Sequence, residues 1–274
     1  MITVNDFQFN GKRVLVRVDF NVPLDDELNV TDDSRIRATI PTIKKIIENG
    51  GRPVLMSHLG RPKGEKNVRL SLRNTVSTIE VLSGFTVKFC EYCIGKEVVE
   101  TTEQLGLNEV LLLENLRFYS EETNGEEDFA EKLAANGDFY VNDAFGTAHR
   151  AHASTAIIAQ YFENKKAFGL VMAAEIENVN KVLFSKEKPV TAIVGGAKVS
   201  SKLAILENLI TKLDHLIIAG GMAFTFIKAK GGKVGDSLVE DEFLETARDI
   251  MKSAEEQGVK IHLPVDSKNA NKFD

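Results

Sequence analysis

The stretch 190-VTAIVGGAKVSSKLAILENLI-210 changes its hydrophobic period across a pair of glycines. Residues 190–194 form a short apolar run of the kind that builds a buried strand. Residues 198–210 carry Leu203, Leu206, Leu209 and Ile210 at helical spacing. Gly195-Gly196 between them allow a tight turn and a close backbone approach. Strand, glycine turn, helix is the repeating unit of a doubly wound sheet, and a helix N-terminus placed this way attracts anions. The spacing fits neither the G-x-x-x-x-G-K-S/T phosphate loop nor the G-x-G-x-x-G dinucleotide fingerprint. Lys198 and Lys202 lie four apart on the predicted helix, near its positive end. Like charges there conflict with each other and with the helix dipole by a few tenths of a kcal/mol. A bound phosphate would relieve both conflicts. Two solvated lysines on a surface helix are the competing reading, and penalties this small leave both open.

Composition bounds what such a unit can serve. A chain of 274 residues suits one large or two modest domains. With 43% hydrophobic and 27% charged residues it reads as globular, and its formal charge of -6 argues against general nucleic-acid binding. No apolar run is long enough to span a membrane, and MITVNDFQFNGKRV lacks the marks of a secretion signal. The expected setting is cytoplasmic. The only cysteines, Cys90 and Cys93, have no second pair with which to complete a zinc site and read as small buried residues.

The first half repeats one pattern. The strands of 12-KRVLVRVDFNVPLDD-26, 52-RPVLMSHLGRPKG-64, 109-EVLLLENLRFYSEE-122 and 138-DFYVNDAFGTAHRAHAS-154 each end in a polar loop. Helical stretches separate them: residues 34–48 with Ile36, Ile40, Ile43, Ile46 and Ile47 on one face, and residues 126–136 with Phe129, Leu133 and Ala134. Strands alternating with helices predict parallel sheets, which bind ligands outside the strands' carboxyl ends. Four such ends, with the start of the first helix, deliver Arg35, His58, Arg61, Arg117, His149, Arg150 and His152. That is a cationic cluster in an acidic chain, suited to carboxylate and phosphate. Asp19 and Asn21 are placed to hold a hydroxyl group or orient an arginine. His149-x-x-His152 with Asp143 has ligand types that would also suit a metal, but cations repel each other, and no metal ligands are assigned.

Residues 169–189 form a long helical stretch that separates these strands from a second set at 190–196, 214–220 and 258–265. Gly220-Gly221 repeat the strand–glycine–helix theme. Met222, Phe224, Phe226 and Ile227 read as core. The second unit has three recognisable strands, and the expected covering helix after the last is not there. The expectation is a truncated chain: residues 1–172 as a first domain, 173–188 as a connecting helix, and 189–274 as the first part of a second domain.

RVDFNVP (17–23), SRIRA (34–38), LMSHLGRPKG (55–64), LENLRF (113–118), NDAFGTAHRAHAS (142–154), GGAKVSSK (195–202), GGMAFTF (220–226) and LPVDS (263–267) together resemble the phosphoglycerate kinases, collinearly along the whole chain. The resemblance implies two doubly wound domains joined by a helix. It implies a glycolytic transfer of a phosphoryl group between ATP and the carboxylate of 3-phosphoglycerate. Asp19, Phe20, Asn21, Arg35, His58, Leu59, Gly60, Arg61, Arg117 and Arg150 would bind 3-phosphoglycerate, with His149 and His152 bordering the patch. Lys198, Lys202, Gly220, Gly221, Leu238 and Phe273 would meet the nucleotide, and Arg35 and Lys198 would stabilise the phosphoryl group in flight. Mg²⁺ would arrive on ATP or ADP. The implied protein is a cytoplasmic monomer without nucleic-acid or membrane partners. Ala219 stands where many relatives have glycine, and the family's later nucleotide-site residues lie past Asp274. The alternative expectation is therefore a truncated chain that binds 3-phosphoglycerate without turning it over.

Overall fold

The computed structural model describes residues 1–184, 187–268 and 270. The chain divides into two compact units, Met1–Asn178 and Val179–Asp274. In the first, β1 (Arg13–Arg17), β2 (Arg52–Met56), β3 (Thr86–Cys90), β4 (Glu109–Leu113), β5 (Phe139–Asn142) and β6 (Lys166–Phe168) form one parallel sheet in the order β3-β4-β2-β1-β5-β6. The helices are α1 (Ser34–Glu48), α2 (Val76–Ser83), α3 (Lys96–Glu103), α4 (Ser120–Asn124), α5 (Glu127–Ala134) and α6 (Leu170–Phe184), inside which the division between units falls. The second unit holds a parallel sheet of β7 (Thr191–Gly195), β8 (His215–Ala219) and β9 (Lys260–His262) with α7 (Leu203–Ile210), α8 (Met222–Ala229) and α9 (Leu244–Glu256). This is the α/β, parallel-sheet architecture expected from the alternation of apolar runs and helical stretches. Among the described residues no helix is long and apolar enough to cross a membrane.

The central strands are apolar because both faces of the first sheet are covered. One face packs Val14, Val16, Leu55, Val110 and Leu112 against Ile36, Ile40, Ile43 and Ile46 of α1. The other packs Leu15, Val54, Met56, Leu111 and Leu113 against Phe129 and Leu133 of α5. Register then fixes where the loops begin. Arg17 pairs with Met56 on one side and with Asn142 on the other, so the chain leaves β1, β2 and β5 at one level. The chain first moves from β1 to β2 and later returns to β5 on β1's other side. That reversal is the topological switch point, where an open parallel sheet forms its ligand crevice.

Three expectations need correcting. Strands β3 and β6 were not foreseen: β3 alternates exposed and buried residues at the sheet edge, and β6 is only three residues long. The run 190–194 is not buried on both faces. Thr191 and Ile193 of β7 are exposed, Ile193 to 72%, while Ala192 and Val194 pack on the core formed with α7, α8 and α9. The helix after the glycine pair begins at Leu203, not at Lys198. Val199 is buried, and the Glu240 carboxylate accepts from the Ser200 amide at 3.0 Å and its hydroxyl at 2.6 Å, holding residues 196–202 as a loop.

Helix α6 starts on a side chain from elsewhere in the chain. Asp143, just beyond β5, accepts from the amides of Val171 at 2.9 Å and Met172 at 3.1 Å, in the manner of an N-cap. Its other oxygen is buried without a hydrogen-bond partner among the described residues. Burial raises the Asp143 pKa to about 6, against the opposing pull of the Thr42 hydroxyl and the two amides. The folded state therefore binds this proton more tightly than the unfolded chain does. Its contribution to stability is present at low pH and is lost as pH rises from about 4 to about 6. The substitution Asp143→Asn would keep the accepting oxygen and remove the titration. Urea melts of Asp143→Asn and wild type across pH 4–7 should diverge in the variant's favour as pH rises, by about 2–3 kcal/mol for a shift of this size. Parallel profiles would contradict this account.

Candidate functional site

The loops after β1, β2, β4 and β5 meet over a cleft of about 250 Å³ lined by Asp19, Asn21, Arg35, His58, Gly60, Arg61, Arg117, Gly146, Thr147 and Arg150. Each wall has a local cause. Asn21 Oδ1 accepts from the Gly60 amide at 2.8 Å, joining the β1 and β2 loops. Gly60 has φ +64°, and a Cβ there would lie 2.7 Å from Leu70 Cδ2, so no other residue fits the turn without strain. After β4, the buried Glu114 carboxylate accepts from the Ser71 hydroxyl at 2.7 Å and from the Leu72 amide at 2.9 Å. Asn115 Nδ2 donates to the carbonyls of Leu59 at 2.7 Å and Leu70 at 2.8 Å, fixing the loop that carries His58 and Arg61.

The cations fall into two groups. Arg35, Arg61 and Arg150 are exposed at the rim, and Arg35 donates to Asp19 Oδ2 at 2.8 Å. Arg117 is buried and donates to the Gly60 carbonyl at 2.9 Å. Burial lowers its pKa, as do the nearby Arg150 and Arg17 guanidiniums, while Glu122 opposes them. Beneath the cleft, Arg17 is only 1% exposed. It donates to Ser154 Oγ at 2.9 Å and to the Val18 carbonyl, and its Nη2 lies 3.2 Å from His58 Nδ1.

His58 is therefore desolvated among guanidiniums. Burial first, then Arg17, Arg117, Arg150 and Arg35, pulls its pKa down to about 2. The ring is neutral at physiological pH and serves as a hydrogen-bonding group rather than a charge. His152 is lowered too, chiefly by burial, with Glu122 opposing. His149 does not line the cleft; its Nε2 lies 3.5 Å from Arg150 Nε.

The arrangement brings together eight of the ten residues expected at the acceptor site. Phe20 and Leu59 are the exceptions. Their side chains are buried in the core, and the Phe20 amide already donates to Ser57 Oγ at 2.9 Å. Sequence reasoning missed Arg17, Ser57, Glu122 and Ser154. Arg17 stands inside the RVDFN stretch, and a charged residue ending an apolar strand beside Asp19 was its only signal.

In the second unit the two glycine turns touch. Gly220 has φ +70°, and a Cβ there would stand 2.9 Å from the Gly196 carbonyl oxygen; the Met222 amide donates to that same oxygen at 2.9 Å. Gly221 follows as the residue before α8, and Leu238 is half exposed. Lys198 is exposed on the loop, close enough to Glu240 to help lower its pKa. Lys202 immediately precedes α7. The two lysines therefore do not share a helix face. Phe273 lies outside the described residues.

The sequence profile of the phosphoglycerate kinase family matches residues 4–274. The phosphoglycerate kinase of Porphyromonas gingivalis is 48% identical over 297 residues, covering 100% of this chain and 71% of that protein. That of Borrelia hermsii is 50% identical over 271 residues, covering 99% and 68%. Among solved structures, phosphoglycerate kinase from Coxiella burnetii matches with a TM-score of 0.81 at 36% identity, over 96% of this chain and 66% of that one. The enzyme from Pyrococcus horikoshii matches with 0.82 at 30%, over 97% and 67%. The chain thus spans about two thirds of the length of these relatives.

Two outcomes are expected. In NMR titration the His58 ring should stay neutral from pH 8 down to pH 4. With a folded pKa below the unfolded one, its contribution to stability is present above about pH 6.5 and declines as pH falls, so His58→Gln should reduce acid sensitivity there. Gly220→Ala, forced into the left-handed region against a carbonyl oxygen, should destabilise the second unit by about 1–2 kcal/mol in denaturant melts.

Proposed function

The chain belongs to the phosphoglycerate kinase family, and from that premise we propose that it carries out reversible phosphoryl transfer between ATP and the carboxylate of 3-phosphoglycerate, giving 1,3-bisphosphoglycerate and ADP. The observation that carries this reading is the cleft over the first sheet. It gathers Arg35, Arg61, Arg117, Arg150 and a neutral His58 around a volume suited to a small acid bearing both phosphate and carboxylate.

In this reading Arg61, Arg117, Arg150 and His58 bind the phosphate and carboxylate of the acceptor, and Asp19 and Asn21 receive its hydroxyl group. The Gly60 loop supplies the wall. Lys198, Lys202 and the Gly220-Gly221 turn meet the nucleotide phosphates. Mg²⁺ enters with the nucleotide as part of that substrate.

The acceptor carboxylate is ionised at neutral pH, so no general base is required. A carboxylate oxygen forms a bond to the γ-phosphorus while the bond from that phosphorus to the bridging oxygen of ADP breaks. Charge builds on the three equatorial oxygens, and positioned cations stabilise it. Arg35 and Lys198 are assigned that role. The assigned acceptor and nucleotide residues belong to different units, and transfer requires both sets to meet the reacting groups with water excluded. Action as a cytoplasmic monomer, without nucleic-acid or membrane partners, belongs to the same proposal.

A coupled assay on this chain for ATP consumption dependent on 3-phosphoglycerate tests the reaction. Thermal melts with 3-phosphoglycerate test the acceptor site alone; at a hundredfold excess over Kd the gain should be about 2.7 kcal/mol. Stabilisation without turnover would favour the acceptor-binding reading, and neither effect would remove both. Arg35→Ala should lower kcat by about a hundredfold or more while weakening 3-phosphoglycerate binding much less. Equal losses would make Arg35 a binding residue.

A further inference from the structure

Beneath the cleft runs a chain of buried hydrogen bonds whose direction is set by its two ends. Glu122, 1% exposed, accepts from the Ser154 amide through Oε2 at 2.9 Å and from the Ser154 hydroxyl through Oε1 at 2.6 Å. Ser154 Oγ has then spent its single proton on Glu122. Toward Arg17 Nε, at 2.9 Å, it can only accept. That suits the guanidinium, which has donors and no acceptor. The same guanidinium reaches His58 Nδ1 at 3.2 Å with Nη2, so Nδ1 is the acceptor there and the ring proton sits on Nε2. A carboxylate that accepts and an arginine that donates leave no other orientation for the Ser154 hydroxyl between them, and the guanidinium held by that hydroxyl presents Nη2 to His58 Nδ1.

Resting on the proposed acceptor chemistry, we infer that Glu122 is a positioning residue for this site: through Ser154 and Arg17 it fixes His58 as the Nε2–H tautomer, a neutral donor offered to the anion in the cleft. Glu122 sits on α4 and is not among the residues that line the cleft. Its influence passes across three loops. Its own carbonyl also accepts from the Ala153 amide at 3.0 Å, so the Ser154 segment is held by main chain and side chain together. The carboxylate further places a negative charge near a guanidinium that is otherwise deep in protein, where an unanswered charge is costly. The opposite tautomer would turn a ring N–H toward the Arg17 guanidinium and a lone pair toward the ligand, which repels phosphate and carboxylate oxygens.

Glu122→Gln replaces an acceptor pair by one acceptor and one donor of the same size. Ser154 N–H keeps a partner, but the Ser154 hydroxyl now faces an N–H group and loses its fixed direction. The experiment is a long-range ¹H–¹⁵N correlation spectrum of the labelled chain, with the His58 ring assigned by its loss in His58→Gln, together with calorimetric titration of 3-phosphoglycerate. In the wild-type chain, His58 should show the Nε2–H pattern; an Nδ1–H or doubly protonated ring overturns the inference. In Glu122→Gln, with the thermal transition retained, the Ser154 hydroxyl no longer holds Arg17 Nε, the guanidinium should lose its fixed seat on His58 Nδ1, the ring should become a mixture of tautomers, and 3-phosphoglycerate should bind about tenfold more weakly. An unchanged tautomer overturns it, whether or not binding falls, because a purely structural Glu122 would move affinity alone. Should Glu122→Gln fail to fold, Ser154→Ala cuts the same relay while adding no polar group, and an unchanged His58 tautomer there overturns it equally. If 3-phosphoglycerate does not bind the wild-type chain while the tautomer responds as stated, the acceptor reading fails and the relay stands.

Discussion

A guanidinium with almost no access to water must have its charge and its donors answered by protein, since it cannot discharge itself by losing a proton. Arg17 is that group, and its partners come from all around the cleft: the Val18 carbonyl on its own loop, His58 after β2 and Ser154 after β5. Through Ser154 it reaches Glu122, beyond β4. The four loops that make the cleft are thereby tied to one planar fork. Parallel register makes this possible, because Arg17 lies level with Met56 and Asn142 and the loops begin side by side.

The same desolvation acts differently on the imidazole. A histidine can give up its proton, and among four guanidiniums His58 does so, whereas the arginines stay charged at the expense of hydrogen-bonding their surroundings. The cleft therefore separates two tasks. Arg61 and Arg150 are exposed, Arg35 is exposed but paired with Asp19, and charges in this setting act on anions over a range set by salt. Arg117 and His58 are held by the Gly60 carbonyl and by Arg17, and can only offer donors at fixed positions. Exposed charge of this kind suits capture and steering, and donors at fixed positions suit selection among anions.

The strands β1, β2, β4 and β5 were legible because each is an apolar run ending in polar residues, and α1 because its isoleucines keep helical spacing. The edge strands were not. In 86-TVKFC-90, Thr86 and Lys88 face solvent with a buried residue between them, and Lys166–Phe168 is too short to show any period. The start of α7 was misplaced because local pattern favours extending the helix back to Lys198. What stops it is Glu240, forty residues away, which takes the Ser200 amide. The rim of the site was legible for the same reason as its strands: arginines and histidines recur at successive strand ends. The layer beneath it was not. Arg17 and Ser154 are separated by 137 residues, and a hydrogen bond across that distance leaves no periodic trace in either segment.

The two glycine-bearing turns of the second unit carry a related lesson about what glycine signifies. In the sequence Gly195-Gly196 allow a tight turn and a close backbone approach, and Gly220-Gly221 repeat the same strand–glycine–helix theme. In the fold the second pair must also make room for the first turn: a Cβ on Gly220 would press on the Gly196 carbonyl, and one on Gly221 would lie 3.1 Å from the Ala197 carbonyl, whereas a Cβ on Gly195 or Gly196 would meet nothing closer than 3.6 Å. Gly220 and Gly221 are thus obliged to be small by this contact, before any ligand is considered. Glycines alone do not identify a phosphate site. The chemical signal lies instead in the loop that the contact supports, where Val199 is buried and Ser200 is pinned by Glu240 while Lys198 remains exposed beside them. A lysine carried on an anchored loop loses less freedom on meeting an anion than one on a loose segment. The same anchor sets the Glu240 carboxylate near the Lys198 charge, which helps to hold the carboxylate's pKa down.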